Sequence, residues 1–498
     1  MAGIGASRGF VTMTLVEAPM KAILTLCIAF LLSGCAVTQV GSLYGLRGQP
    51  PERPRNIFVT VDGTGNSQIS RTNAARLFEF VDNYAGQQGD RTLATYYAEG
   101  VGSRGGALGL AMGYGMAADV KGAYAFLTEI YRPGDHIYLS GFSRGAYGVR
   151  ILGGLIAIAG IPDLAARPVA QRTMIVDKIY DAYKTGRHKG ETLHAQNERR
   201  LGAIRNILAS YNIEMRGENL ATEIETMALW DTVEALGTPD RTEDPTESPD
   251  HYLITTCNVR HVYHALSLDD DRAYSFTPIF ANAPKMREDC HNAPPTDIQE
   301  IWFAGAHADV GGSYSPDDRV DGFLQGVSLN WMLDRLRPAK LFAADARVFE
   351  DRYGPIHDAK AYTIAYKALY RNFREPLRYH QIAHSAGRPK IHISAVERLR
   401  QLTKLDERFP QCSAQSLQAS GPPLLCSAAL QPYGFIPEMI AAGCLEKSPD
   451  GFDLRSGQTC VTIVCDDGSE SDFRCDRRSA DAVIDRRQRV AHVAARPM

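Results

Sequence analysis

Apolar and polar positions alternate in blocks along the central part of the chain. Apolar runs of strand length occur at residues 56–61, 136–140, 224–230 and 301–306, and a glycine turn or a helix-forming stretch follows the first two. Continuous apolar runs of this length are typical of strands that are buried on both faces of a parallel sheet. The pattern therefore predicts an α/β fold with a mostly parallel sheet, whose ligand site lies beyond the carboxyl ends of the strands.

One long stretch between these strands has a different pattern. Residues 162–220 are rich in helix-forming and charged side chains, as in Gln196–Arg200, and they predict a helical insertion and candidate lid. Residues 238–251 are dense in Pro, Asp and Glu and predict an exposed loop.

The second strand leads into a serine between glycines. Gly141–Gly145 has the pattern G-x-S-x-G, and the helical sequence Ala146–Ile156 follows it. A strand before such a serine, a helix after it and small residues on either side form a strained turn that lifts the hydroxyl above the sheet. We therefore expect Ser143 to be a nucleophile, although the same sequence also fits a tight turn without chemistry.

A serine nucleophile requires a base and a carboxylate that orients the base. Asp231 closes the third strand and His307 closes the fourth, in the order Ser, acid, His that α/β-hydrolases use. Asp309 is an alternative acid. Taken singly, Asp231 also fits a helix cap at Thr232, and His307 also fits an ordinary loop histidine.

An acyl-transfer site also needs two backbone amides that stabilise the oxyanion. The amide of Arg144, directly after the nucleophile, is the first candidate, and Gly63 or Thr64 in the turn after the first strand is the second. We predict no cofactor, because the dinucleotide-like pattern Gly100–Gly105 does not open a first strand–helix unit.

The N-terminus has the pattern of a lipoprotein signal. Lys21 precedes an apolar run of about eleven residues, which is too short to span a bilayer. The run ends in Leu-Ser-Gly-Cys at Cys35, so we predict a signal peptide over 1–34, lipidation of Cys35 and a tether over 35–54. Ala36 favours an anchor in the outer membrane, facing the periplasm. A short buried helix or an uncleaved anchor is the alternative.

Composition divides the rest of the chain into two parts. The chain of 498 residues is 44% hydrophobic, which suits one large catalytic domain at 55–400 with an appended region at 401–498. Its formal net charge of -3 gives no reason to expect nucleic-acid binding.

Cysteines are concentrated in the appended region. Apart from Cys27 and Cys35 the chain has an even set, which fits disulfides formed after export: Cys257, Cys290, Cys412, Cys426, Cys444, Cys460, Cys465 and Cys475. We predict no metal site, because no C-x-x-C pair is present.

Four ordered motifs between Asn56 and Arg337 together resemble the catalytic domain of the type VI secretion lipase effectors. They are Val61–Asn66, Gly141–Tyr147, Leu229–Val233 and Trp302–Gly312, and His264–Asp270 and Leu329–Met332 are similar to lesser motifs of that domain. The resemblance implies an α/β-hydrolase that acts on phospholipid esters, with nucleophile, acid and base at Ser143, Asp231 and His307.

The chain departs from that family in its lipoprotein-like signal and cysteine-rich end, neither of which an injected effector needs. Three functions therefore stay open at the level of sequence. They are a hydrolase of lipid acyl esters at a membrane surface, an esterase for small soluble esters, and an envelope lipoprotein that uses a hydrolase fold only for binding. Protein partners are not predicted.

Overall fold

The computed structural model describes most of the central part of the chain. The described residues are 40–42, 54–63, 66–88, 92–100, 114–219, 221–234, 244–246, 252–290, 293–314, 324–357, 372–408, 425–426 and 435–475. The chain divides into two units, 1–38 and 39–498, and all described residues belong to the second. The predicted signal peptide, Cys35 and most of the tether lie outside the described residues.

Ten of the described strands form one sheet in the order β1-β3-β2-β4-β7-β8-β9-β11-β15-β16. The pairs from β3 to β15 are all parallel, and the two edge strands β1 and β16 are antiparallel. The strands are β1 (Val40–Ser42), β2 (Asn56–Val61), β3 (Leu93–Ala98), β4 (His136–Phe142), β5 (Ile161–Pro162), β6 (Met215–Gly217), β7 (Ile224–Trp230), β8 (Val259–Ser267), β9 (Asp297–Phe303), β10 (Ile356–His357), β11 (Lys390–His392), β12 (Leu425–Cys426), β13 (Leu445–Ser448), β14 (Gly451–Leu454), β15 (Thr462–Val464) and β16 (Glu470–Ser471).

Helices lie between most of the consecutive parallel strands. The α-helices of the described ranges are α1 (Asn73–Gln88), α2 (Tyr114–Ile130), α3 (Arg144–Ala159), α4 (Val169–Tyr183), α5 (Leu193–Ser210), α6 (His307–Gly311), α7 (Gln325–Leu336), α8 (Pro376–Ile382), α9 (Ile393–Leu399), α10 (Leu402–Arg408) and α11 (Phe435–Ala441). This arrangement confirms the predicted α/β fold class.

The centre of the sheet is buried on both faces. In β2 every residue after Asn56 is buried, and in β4 every residue after His136 is buried. Such strands need helices on both faces of the sheet, which explains why their sequences are continuous apolar runs. The chain leaves β2 to form β3 on one side and then β4 on the other. At such a reversal the strands' carboxyl ends open into a crevice.

The helical insertion covers the core. Helices α4 and α5 both pack against α3. The Tyr183 hydroxyl donates to the carbonyl of Leu253 at 2.9 Å and lies 3.4 Å from that of Ile151 in the middle of α3. Ser143 lies at the start of α3, about two turns from Ile151, and the candidate lid stays a prediction.

The cysteine-rich region is joined to the main sheet. Strand β15, from beyond the predicted boundary at 401, pairs in parallel with β11. Three disulfides are present among the described residues: Cys257–Cys290, Cys444–Cys460 and Cys465–Cys475. They confirm the predicted disulfides for four of the six C-terminal cysteines. Cys412 and the side chain of Cys426 lie outside the description.

Candidate active site

Ser143 lies on a strained turn between β4 and α3. Its backbone has φ 57° and ψ -128°, in the region that L-residues rarely adopt. A Cβ on Gly141 would lie 2.7 Å from the amide nitrogen of Ala146, and one on Gly145 would lie 2.2 Å from the Val61 carbonyl oxygen. The two glycines of the G-x-S-x-G pattern are therefore required by the close approach of backbone to backbone.

His307 joins the serine to the acid. It begins α6, four residues after β9 ends. Its Nε2 is 2.7 Å from Ser143 Oγ, and its Nδ1 is 2.5 Å from Asp231 Oδ2. The rings of Phe142 and Phe276 flank the imidazole, with centroids 4.6 and 5.0 Å from its own. The three side chains that the sequence singled out are thus brought together from the ends of three strands.

The imidazole of His307 is held in the neutral form. Burial lowers its pKa below the usual histidine value, and the nearby Asp231 carboxylate opposes this effect only in part. Its backbone amide also donates to Asp270 Oδ2 at 3.1 Å, which fixes the start of α6. A neutral imidazole with Nδ1 bonded to a carboxylate has its Nε2 lone pair available for the serine proton.

Asp231 is fully buried, and both of its carboxylate oxygens have hydrogen-bond partners. Its Oδ1 accepts from the Ser267 amide at 2.9 Å and from Arg374 Nη1 at 2.6 Å, while Oδ2 faces His307. Burial alone would raise its pKa, but the charge of Arg374 and the hydrogen bond from His307 outweigh burial and lower the pKa to about 2. Asp231 therefore stays ionised over the range in which His307 is neutral.

The alternative acid, Asp309, is bound elsewhere. Its Oδ2 accepts from the amides of Ala306 at 2.9 Å and His357 at 3.0 Å, and its Oδ1 is 2.5 Å from His357 Nδ1. The structure places Asp231, and not Asp309, against the imidazole of His307.

The predicted oxyanion donors are only partly described. Arg144 is the first residue of α3, and amides in the first turn of a helix are not used by the helix's own hydrogen bonds. The Gly63 amide donates to Asp62 Oδ1 at 2.7 Å, and Asp62 also accepts from Thr72 and Tyr97. Thr64 lies outside the described residues. The Gly63 amide is thus bonded to Asp62 in this structure, and its role as an oxyanion donor stays a prediction.

Three residues of the site were missed by sequence reasoning. Ser267 ends β8, Asp270 follows three residues later, and both belong to the lesser motif His264–Asp270, so their place at a strand end could have found them. Arg374 had no such signal, because it follows the last predicted motif by about forty residues and precedes a short helix.

A cavity of about 250 Å³ lies elsewhere on the molecule, between α5 and residues 252–257 and 285–289. Ala157, which lines it, lies fourteen positions along α3 from Ser143, or roughly 21 Å at the usual helical rise. Ser143, Asp231 and His307 are not among the residues that line it. Within the described ranges no group of three or more His, Cys, Asp or Glu side chains is placed to hold a metal ion. No described helix is long and apolar enough to cross a membrane.

The doubly wound sheet, with a serine on a strained strand–helix turn and His307 between it and Asp231, is the architecture of an α/β-hydrolase. The chain belongs to the family described as "T6SS, Phospholipase effector Tle1-like, catalytic domain", which matches residues 55–335. This match confirms the resemblance drawn from the four motifs.

Individual relatives are distant. An uncharacterized protein of Saccharomyces cerevisiae is 25% identical over 249 residues, which cover 45% of this chain and 33% of the yeast protein. A solved structure of an uncharacterized protein from Pseudomonas aeruginosa is 16% identical with a TM-score of 0.34, covering 57% of this chain and 45% of that one. The carboxylesterase Cest-2923 from Lactobacillus plantarum is 12% identical with a TM-score of 0.32, covering 61% and 93%. The chain thus spans about a third of the yeast protein's length.

Proposed function

We propose that the protein is a serine hydrolase that cleaves acyl esters of phospholipid or another lipid by a Ser143–His307–Asp231 triad. The observation that carries the proposal is the continuous hydrogen-bonded chain from Ser143 Oγ through His307 to Asp231. Membership of a phospholipase effector family supports the same chemistry. A protein that used the fold only for binding would not need a buried, ionised carboxylate against the imidazole.

In the first half of the reaction Ser143 Oγ attacks the ester carbonyl carbon while His307 Nε2 takes the hydroxyl proton. The carbonyl oxygen becomes an oxyanion near the Arg144 amide and the Gly63–Thr64 turn. When the intermediate collapses, the carbon–oxygen bond to the alcohol breaks and His307 gives its proton to the leaving oxygen. The acyl group is then held as an ester of Ser143.

In the second half a water molecule attacks the acyl-enzyme. His307 takes a proton from the water and returns it to Ser143 Oγ as the acyl–serine bond breaks. The product is a fatty acid, and the hydroxyl group of Ser143 is regenerated. Asp231 stays ionised throughout and stabilises the imidazolium in both halves, since its pKa is lowered to about 2 against the tendency of burial, by Arg374 and by His307.

Hydrolysis of a short soluble ester and of phospholipid vesicles tests the proposal. The wild type should hydrolyse 1-palmitoyl-2-oleoyl phosphatidylethanolamine in vesicles faster than p-nitrophenyl butyrate, and it should react with a fluorophosphonate probe. Ser143→Ala should lose all three signals. Ser140→Ala is a matched control, because the Oγ of Ser140 is buried on β4 without a partner among the described residues.

Two results would contradict the proposal in different ways. Hydrolysis and labelling that persist in Ser143→Ala would remove the assigned nucleophile. Rapid hydrolysis of the soluble ester with none on vesicles would leave an esterase and eliminate the lipid substrate.

We also propose that Cys35 is diacylated and anchors the enzyme to the outer membrane, facing the periplasm. The support is the sequence Leu-Ser-Gly-Cys after a short apolar run. A flexible tether of about 20 residues spans roughly 25 Å, which keeps the site near a lipid surface. Metabolic labelling with palmitate should be lost in Cys35→Ala and kept in Cys27→Ala. Equal labelling of both variants would overturn the anchor.

A further inference from the structure

Arg374 lies in the core beside the proposed triad, outside the segment that matches the family. It is 0% exposed. Its Nη1 donates to Asp231 Oδ1 at 2.6 Å and to the carbonyl and hydroxyl oxygens of Ser267, each at 2.8 Å. Its Nη2 donates to the carbonyl of Phe276. One guanidinium therefore bonds to Asp231, to Ser267 at the end of β8 and to Phe276 in the segment that follows β8.

The chain holds Arg374 in place from both sides. Two residues before it, the Asn372 side chain accepts from the Tyr274 amide at 3.1 Å, and its backbone pairs with Arg272. Helix α8 begins two residues after it, and Glu438 of α11 accepts from the first amides of that helix at 3.0 and 2.7 Å. The position of the guanidinium is thus fixed by its own neighbours as well as by Asp231.

The two carboxylate oxygens of Asp231 have different hydrogen-bond partners. Oδ1 accepts from both Ser267 N and Arg374 Nη1, which leaves Oδ2 to face His307. A carboxylate held in this way cannot rotate to offer the imidazole a different oxygen or angle. Fixing the imidazole's tautomer and orientation is the task of the acid in a triad.

A purely structural role does not explain why an arginine is buried at this position. An arginine in a protein core loses much hydration energy, and an apolar residue of similar volume often stabilises as well or better. The Nε of Arg374 is also buried without a partner among the described residues, which adds to that cost. Its position against Asp231 supplies a functional reason to keep the charge.

We propose that Arg374 is a positioning residue of the hydrolase, which holds the Asp231 carboxylate in register with His307 by its charge and hydrogen bonds. The inference rests on the proposed triad and deepens it, because it assigns part of the catalytic machinery to a residue beyond the matched family domain. Arg374 itself is too deeply buried to touch a substrate.

The charges around the Asp231–His307 pair define what the pH profile should show. Arg374 faces Asp231, Arg272 and Asp270 face His307 and bond to each other at 2.6 Å, and Asp309 is bound to His357. The active form of the pair has ionised Asp231 and neutral His307. Removal of the positive charge of Arg374 raises the apparent pKa at which the Asp231–His307 pair takes up a proton, whichever of the two residues accepts it. The acid limb of activity must then move to higher pH.

The test compares wild type with Arg374→Met and Arg374→Lys in hydrolysis of p-nitrophenyl butyrate. Arg374→Met should lower kcat by about tenfold to a hundredfold, leave KM nearly unchanged, and raise the midpoint of the acid limb by about one pH unit. Arg374→Lys keeps the positive charge but not the planar guanidinium that bonds to several acceptors. Its acid limb should therefore stay near that of wild type, while kcat should fall by a smaller factor than in Arg374→Met.

Arg150→Met is the matched control. Arg150 is also a buried arginine and donates to the carbonyls of Ile279 and Phe280, but it has no contact with Asp231. Arg150→Met should leave the midpoint of the acid limb unchanged, whatever its effect on the melting temperature.

The proposal is overturned if folded Arg374→Met keeps the wild-type acid limb. If that variant does not fold, a wild-type kcat in Arg374→Lys overturns it instead. Ser143→Ala, measured in parallel, separates this outcome from failure of the proposed function. Activity that survives in Ser143→Ala contradicts the triad, whereas its loss there with an unmoved limb in Arg374→Met contradicts only the role of Arg374.

Discussion

At the scale of single residues, the site depends on opposite effects of burial on two neighbouring groups. Burial keeps His307 neutral, while Arg374 and His307 together keep Asp231 ionised against the effect of burial. The pair thus holds one charge and one free lone pair near neutral pH, which is the state that a general base requires. The sequence indicated all three residues of the proposed triad, but it did not indicate how burial and Arg374 shift the pKa values of His307 and Asp231.

Because the members of a catalytic triad act as a unit, substitutions in the proposed triad should not be additive. We expect Ser143→Ala and His307→Ala each to lower kcat by about 10⁶-fold, and the double variant to be no slower than either. Asp231→Asn should lose less, about 10⁴-fold. Steady-state kinetics on a soluble ester measure these values. Multiplied losses in the double variant would show that the two residues act independently.

At the scale of elements, the β4–α3 turn depends on glycines for room rather than for flexibility. Neither Gly141 nor Gly145 is among the glycines with positive φ, whereas Ser143 between them has φ 57°. The sequence pattern predicted this turn correctly because the close approach leaves no alternative residue at either position. In the same helix Gly148 is under no such restriction, whereas a Cβ on Gly154 would meet the Leu253 carbonyl oxygen at 1.8 Å.

Gly145→Ala should therefore disrupt the turn. Its Cβ would meet the Val61 carbonyl at 2.2 Å, so we expect a loss of at least about 1–3 kcal/mol of stability, together with the activity. Gly148→Ala on the same helix is the control, since its nearest neighbour, Met116 Cγ, would be 3.6 Å away. It should be neutral or stabilise α3 by up to about 1 kcal/mol. Thermal unfolding measures both, and equal melting temperatures would contradict the packing argument.

At the scale of the whole molecule, the C-terminal region extends the hydrolase sheet and reaches towards its site. Strand β15 adds to the edge of the sheet beside β11, and Arg352 bonds to Asp466 at 2.9 Å and to Glu397 at 2.6 Å. Glu438 caps α8, directly after Arg374. Two disulfides flank β15 on either side, which explains how so short a strand is held in place.

Loss of these disulfides should loosen the region. The double variants Cys444→Ser/Cys460→Ser and Cys465→Ser/Cys475→Ser each remove a disulfide, and these disulfides close loops with sequence separations of 16 and 10. Each double variant should lose about 2–4 kcal/mol of stability, measured by denaturant unfolding. Peptide mass spectrometry without reduction should show the same two pairs. Free thiols at these four cysteines would contradict both the pairing and the stabilisation.

The sequence by itself determined four strands of the main sheet, the strained turn at Ser143 and the order of Ser143, Asp231 and His307, because each is encoded by local patterns of apolar residues, glycines and strand ends. It also determined the family, since four motifs in order are specific. Only the tertiary structure decided between Asp231 and Asp309, because both follow strands and the choice depends on which carboxylate meets the imidazole. Only the fold could bring Arg374 to Asp231, since 143 positions separate them along the chain and no local pattern encodes a contact at that distance.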